Sequence, residues 1–212
     1  ENQLSAYDIA VIAKHLLQDF PEVTKYTSKP TALFSNTQIE NPNLMLEGMP
    51  NYRSGVDGLR VSNSTKGGIT FAASTTQNGI HMITVVLGVE AVDGDPYARF
   101  VATSSLMNYV VRTFVSSIVV KEGDPYGKSK ATVMDGKSET VLAVAKKDFY
   151  IVEKQGSQAE PKIQFKSDQE SFRAPVKSGT NLGKIHYTDP DNRTWLLRRS
   201  RTNSRYGSRK NH

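Results

Sequence analysis

The sequence contains no cysteine, which excludes a disulfide framework, a thiolate nucleophile and any cysteine-based metal site. Its four histidines, His15, His81, His186 and His212, lie far apart and without ligand spacing, so no metal and no cofactor is expected. No G-x-S-x-G elbow, phosphate-binding loop or G-x-G-x-x-G follows a strand-like run, so the enzyme classes those motifs mark are without support. No apolar run is long enough to span a bilayer, and the first residues have neither the basic nor the apolar stretch of a signal peptide.

What is present is a chain of 212 residues, 37% hydrophobic, which fits one large or two small domains. The formal charge of +6 comes from 27 Lys+Arg against 21 Asp+Glu. Seven of those cations (Arg193, Arg198, Arg199, Arg201, Arg205, Arg209, Lys210) lie beyond Asn192, where no acidic residue occurs. Residues 1–191 therefore hold 20 basic against 21 acidic residues, a net of −1. A polyanion partner is thus suggested by the tail alone and not by the domains, and no nucleic-acid partner is expected.

Ser5 and Asp8 resemble a capping box, and Ile9, Ile12, Ala13, Leu16, Leu17 and Phe20 then recur at helical spacing until Pro21 stops the helix. An amphipathic helix opening a chain has nothing of its own to pack on, so an upstream segment is expected. Residues 21–54 read as an extended connection. Ile69–Thr75 and Ile80–Val89 read as strands joined by Gln77-Asn78-Gly79, a strong hairpin signal, the second strand being apolar on both faces as a central strand is. Asp95-Pro96 offers a helix start, and Tyr97, Phe100, Val101, Met107, Val110, Val111 and Phe114 follow at helical spacing. In the same stretch Glu90, Asp93 and Asp95 form a turn better than a carboxylate pair.

From about residue 116 short β-rich pieces (117–120, 130–133, 139–144, 149–152, 162–165) alternate with Gly, Pro and Asp turns, which predicts a small all-β domain of sandwich type. After Asp189-Pro190-Asp191 the pattern fails. The expected organisation is an α/β part over residues 1–115, an all-β part over 116–191, and a disordered basic tail over 192–212.

Several segments carry a resemblance. Ser5–Leu17, Asp19–Val23, Asn43–Leu46, Gly55–Leu59 and Thr84–Gly88 occur in the order found in serine D-alanyl-D-alanine carboxypeptidases, the low-molecular-weight penicillin-binding proteins, of the type found in Gram-positive bacteria. The β-rich part is similar to the C-terminal domain of that family through Gly123-Asp124-Pro125 and Ala174-Pro175-Val176-Lys177-Ser178-Gly179. The resemblance implies the C-terminal part of a β-lactamase/transpeptidase-like domain (helix, antiparallel strands, covering helix) followed by a β-sandwich. It also implies an exported, cell-surface enzyme that trims terminal D-Ala from peptidoglycan stem peptides, is acylated by β-lactams, and in its intact form is membrane-anchored at its C-terminus.

That chemistry uses a Ser and a Lys in S-x-x-K, an S-x-N motif, and K-T-G on a strand edging the cleft. The first two are expected upstream of Glu1, so no catalytic residue is expected in this chain, which alone should be inactive. In the third position stand Arg60, Val61 and Ser62. Arg60 keeps a cation for a substrate carboxylate, with a planar fork in place of an ammonium; Val61 cannot donate as Thr does, and Ser62 adds a side chain where the family has glycine. Arg99 matches an arginine that in the family helps hold the substrate's terminal carboxylate. A rival reading is a non-catalytic cell-wall scaffold in which K-T-G has degenerated; another is an anionic-surface binder using the tail.

The tail departs from the family after Asp191. A one-base shift in the frame at Arg193 would replace the basic residues with a Gly-Tyr-Leu turn and a last apolar strand, as in the family. Sequencing the coding DNA checks this: codons at Arg193 and beyond should permit that second frame, and codons that forbid it dispose of the idea.

Overall fold

Ser5 caps helix α1 (Ala6–Asp19) as its spacing with Asp8 predicts. The Ser5 N–H donates to Asp8 Oδ2 at 2.9 Å, and the Asp8 N–H donates to Ser5 Oγ at 3.2 Å. These bonds from the Ser5 side chain and backbone hold the Asp8 carboxyl below its usual range. The cap's contribution is therefore present at neutral pH and is lost as pH falls through the lowered value. The computed structural model describes residues 3–64, 67–90, 94–157, 162–188 and 201–203. The chain divides into two units, Glu1–Val115 and Ser116–His212.

In unit 1, α1 buries only Ala13 and Leu17, and Leu4, Tyr7, Ile12, Leu16 and Phe20 remain exposed. The connection expected over 21–54 is more ordered than its composition predicts. It holds a 3-10 turn (Pro21–Val23), a single helical turn α2 (Thr24–Thr27) and a hairpin of β1 (Thr31–Phe34) and β2 (Thr37–Glu40). The hairpin turns through Ser35 and Asn36, both with positive φ (46° and 64°), the geometry of a two-residue turn written without the Asn-Gly pair that advertises it. Asn41 pins its base, donating from Nδ2 to the carbonyls of Thr27 and Lys29, each at 3.1 Å.

Strands β3 (Val56–Ser64), β4 (Gly68–Gln77) and β5 (Ile80–Val89) form an antiparallel sheet in that order. Asn78 and Gly79, with φ of 51° and 74°, make the β4–β5 turn that the Asn-Gly pair predicts. β5, expected to be central, is instead an edge among the described residues. Its apolar character reflects helices packed on it, since α1 and α3 (Ala98–Thr113) both contact β5 and β4. α3 begins two residues after Pro96, because Asp95 Oδ1 accepts the Tyr97 N–H at 2.8 Å and completes a turn before the helix starts. Arg99, Phe100, Thr103 and Met107 form its buried stripe, and the Phe100 ring meets the fully buried Phe71 edge-on at 5.4 Å.

Unit 2 is all-β. β6 (Phe114–Val120) pairs with β10 (Phe149–Lys154), and β7 (Lys130–Met134) lies between β8 (Thr140–Leu142) and β12 (Phe172–Arg173). The third sheet has the order β11 (Lys162–Ser167), β13 (Asn181–Thr188), β14 (Arg201–Asn203), β9 (Val144–Ala145). Of the tail expected to be disordered, residues 201–203 form β14, which is paired on both sides and satisfies backbone groups that β13 and β9 would otherwise leave open. The rest of the tail, and with it Arg193, lies outside the described residues.

Two clusters make the core of unit 2. One gathers Val120, Ala145, Phe149, Ile151 and Ile185; the other gathers Ala131, Ala143, Phe172 and Leu182. At Gly183 a Cβ would stand 2.2 Å from the Lys166 carbonyl oxygen, so β11 and β13 meet only because that residue is glycine.

Phe71→Ala is expected to destabilise unit 1 by about 3–5 kcal/mol, read from hydrogen exchange of the β4 amides. Gly183→Ala should instead loosen the amides of β11 and β13, leaving those of β4 protected.

Candidate functional site

The four residues singled out in the sequence converge on β3. Arg60 faces Ala72 across the sheet, Val61 faces Phe71 and Ser62 faces Thr70. β3 is bonded to β4 alone, so its other edge is open among the described residues. Arg60 is exposed and has no hydrogen-bond or ion-pair partner among them, whereas Val61 and Ser62 are half-buried. The strand thus presents one uncommitted guanidinium, the Ser62 hydroxyl two residues along the same face, and a free backbone edge.

Arg99 reaches the same place from α3. It is 5% exposed. Its Nη1 donates to the Ser62 carbonyl at 3.0 Å and to the Thr70 carbonyl at 3.1 Å, and its Nη2 donates to Asn63 Oδ1. The guanidinium carbon stands 5.9 Å from the Phe100 ring centroid. Burial lowers its pKa from the usual arginine value, yet an arginine remains charged in proteins. Thr70 Oγ1 donates a further bond to the Ser62 carbonyl at 3.1 Å. Both hydrogens of Nη1 are therefore spent on the sheet, and what Arg99 holds here is the end of β3.

The start of β3 is held by residues given no individual role from the sequence, although Asn43, Asp57 and Gly58 lie within segments that carry the family resemblance. Thr27 Oγ1 donates to the Asp57 carbonyl at 2.7 Å, and the fully buried Asn43 donates from Nδ2 to the Gly58 carbonyl at 3.4 Å. A Cβ at Gly58 would stand 2.6 Å from Thr27 Oγ1, so the backbone two residues before Arg60 fits against α2 only as glycine. Arg53 ties the loop to the rest of unit 1 through Asn108 Oδ1 at 2.8 Å and Gln77 Oε1 at 2.7 Å.

Other chemistry-bearing groups do not join this site. Ser74 Oγ and His81 Nε2 are 3.0 Å apart, but Ser74 is fully buried and has no access to a substrate. His15 lies 3.8 Å from Asp19 on the exposed face of α1. Among the described residues no group of three or more His, Asp or Glu is placed to hold a metal ion.

The sequence model of the D-alanyl-D-alanine carboxypeptidases matches residues 1–91, and that of the C-terminal domain of penicillin-binding protein 5 matches residues 114–194. The D-alanyl-D-alanine carboxypeptidase DacA of Haemophilus influenzae is 28% identical over 86% of this chain and 44% of its own length. Among solved structures, a peptidoglycan synthesis regulatory factor (PBP3) from Streptococcus pneumoniae superposes with a TM-score of 0.88 at 41% identity, over 96% of this chain and 57% of that one. Penicillin-binding protein 5 from H. influenzae shares the fold with a TM-score of 0.58 at 24% identity, over 94% of this chain and 55% of that one. The chain thus spans about half the length of the relatives it matches. With the carboxypeptidase model and the model of a penicillin-binding C-terminal domain matched in succession, and a solved relative superposing on nearly all of it, the chain belongs to the D-alanyl-D-alanine carboxypeptidase family of penicillin-binding proteins.

Proposed function

We propose that this chain supplies the substrate-facing edge strand and the β-unit of an exported D-alanyl-D-alanine carboxypeptidase. In this reading the complete enzyme removes terminal D-Ala from peptidoglycan stem peptides and is acylated by β-lactams. The reaction runs by attack of a serine on the peptide carbonyl, departure of D-Ala, and hydrolysis of the acyl-enzyme. The chain has no S-x-x-K and no S-x-N, so both must come from another polypeptide segment, and alone the chain is inactive.

The observation that carries the reading is β3: an open edge with Arg60 uncommitted beside the Ser62 hydroxyl, braced at both ends. An edge strand offers backbone donors and acceptors to an extended peptide, and Arg60 can pair bidentately with its terminal carboxylate. Arg99 serves the same carboxylate indirectly, by fixing the strand from which Arg60 projects. The exposed apolar residues of α1 support a missing segment, since Ile12, Leu16 and Phe20 are the kind of surface a domain buries. Among the described residues no helix is long and apolar enough to cross a membrane.

A second reading, a non-catalytic cell-wall interaction protein, draws on Arg60-Val61-Ser62 standing where the family has Lys-Thr-Gly. The frameshift reading of the tail is supported by the C-terminal-domain match ending at residue 194, beside the point of departure.

Incubation with a fluorescent β-lactam separates these readings. The chain alone should take no covalent label. Mixed with a segment of a family member carrying S-x-x-K and S-x-N, it should promote labelling of that segment, and Arg60→Ala should lower the labelling rate about tenfold, the scale of a lost bidentate ion pair. Failure of the folded chain to promote labelling would favour the scaffold.

A further inference from the structure

Unit 2 contains an open cleft of about 400 Å³ lined by Tyr126, Gly127, Lys128, Ser129, Gln164 and Phe165. We propose that it binds a saccharide bearing a carboxylate, with Tyr126 and Phe165 as the apolar walls, Gln164 for hydroxyls and Lys128 for the acid.

The walls are set by the two cores of the unit. Tyr126 packs against the cluster of Val120, Phe149 and Ile151, and Phe165 against the cluster of Ala131, Phe172 and Leu182, so the cleft lies at the seam between them. Each ring is only half-buried. A partly exposed aromatic wall suits the C–H face of a pyranose, which needs apolar contact without full enclosure.

The loop between the walls is fixed. The Tyr126 N–H donates to Ser129 Oγ at 3.2 Å, the Ser129 N–H returns to the Tyr126 carbonyl at 3.1 Å, and Ser129 Oγ donates to the Ala143 carbonyl at 2.8 Å. Ser129 is almost wholly buried, and the residue beside it is Lys128. A cation held on such a loop is positioned at little entropic cost when a ligand arrives.

Polar capacity is left over at this place. The Lys128 ammonium and the Gln164 amide are exposed and unpaired among the described residues. An amide presents two donors and an acceptor in one plane, which matches neighbouring hydroxyls, and an ammonium matches a carboxylate. Lys166, two residues along β11 from Gln164, sits directly opposite Lys184 on β13. Lys184 has Asp168 as a distant partner at 3.9 Å. Opposed like charges disfavour a strand pair, so an anion nearby relieves a repulsion as well as forming a contact. An apolar ligand would find too much polar lining here, and an inorganic anion would leave both rings unused.

This site is independent of the carboxypeptidase reading, because it uses no residue of unit 1. Titration of the full chain with N-acetylmuramic acid and with neutral N-acetylglucosamine, followed by amide chemical shifts, tests it. Saturable binding of the acidic sugar is expected at about millimolar concentration, at least fivefold tighter than the neutral one, with shifts at Gly127, Ser129 and Phe165. Lys128→Gln should abolish the preference for the acid, and Gln164→Ala should weaken both sugars at least fivefold, with circular dichroism unchanged. Lys147→Gln, an exposed residue outside the cleft, should have no effect. Absence of saturable binding, equal affinity for both sugars, or binding indifferent to Lys128→Gln and Gln164→Ala would each overturn the proposal.

Discussion

A guanidinium almost cut off from water holds unit 1 in the form its site requires. Burying an arginine is costly unless its donors are satisfied. Arg99 meets that condition with the carbonyls of Ser62 and Thr70 and the Asn63 side chain, and a charged donor makes each of these bonds stronger than a neutral one. The acceptors lie on β3 and β4 while the arginine lies on α3, so helix and both strands are fixed relative to one another by one group. β3 needs this brace because among the described residues it has a neighbour on one side only. An edge strand free at its end would fray, and Arg60 would move with it.

The opposite end of β3 is secured by different means. Thr27, Asn43 and Gly58 fit backbone to side chain at close range, with no charge involved. Between the two anchors the strand carries Arg60, Val61 and Ser62, and of these only Arg60 has no task in the fold. That division decides how the two arginines are read. Both are cations at β3, but the buried one is bonded to carbonyls and the exposed one is not. Among the described residues Arg60 keeps all five of its donors, whereas Arg99 has given three of its own to β3 and β4.

Much of this was legible in the sequence wherever structure follows from local rules. The Ser5–Asp8 box, the Asn78-Gly79 hairpin and the strands of the β-unit depend on a few adjacent residues, and they stand where the pattern puts them. The readings that shifted depend on packing. β5 buries the face of Ile80, Met82, Thr84 and Val86, and α1 and α3 contact the strand, a setting its own pattern cannot distinguish from neighbouring strands. The β1–β2 hairpin is wholly exposed and has no buried face to give it a period. Arg99 left one faint signal: it stands at the start of a buried stripe that continues through Thr103 and Met107, where a charged residue is unexpected unless partners await it. Those partners are more than 25 residues away on β3 and β4, beyond the reach of any local rule.

The charge that dominates the composition has the least to do with either unit. Without the tail the chain is nearly neutral, and the Arg-rich segment enters the described fold only through β14, whose pairing uses backbone. A backbone ladder is nearly indifferent to which side chains it carries, provided their propensities permit a strand. Three residues can therefore complete the sheet between β13 and β9 even if the sequence around them was never selected to do so. The strand at 201–203 is thus compatible with a frameshifted tail as well as with a native one, and the pairing of β14 does not by itself make the basic tail a functional arm.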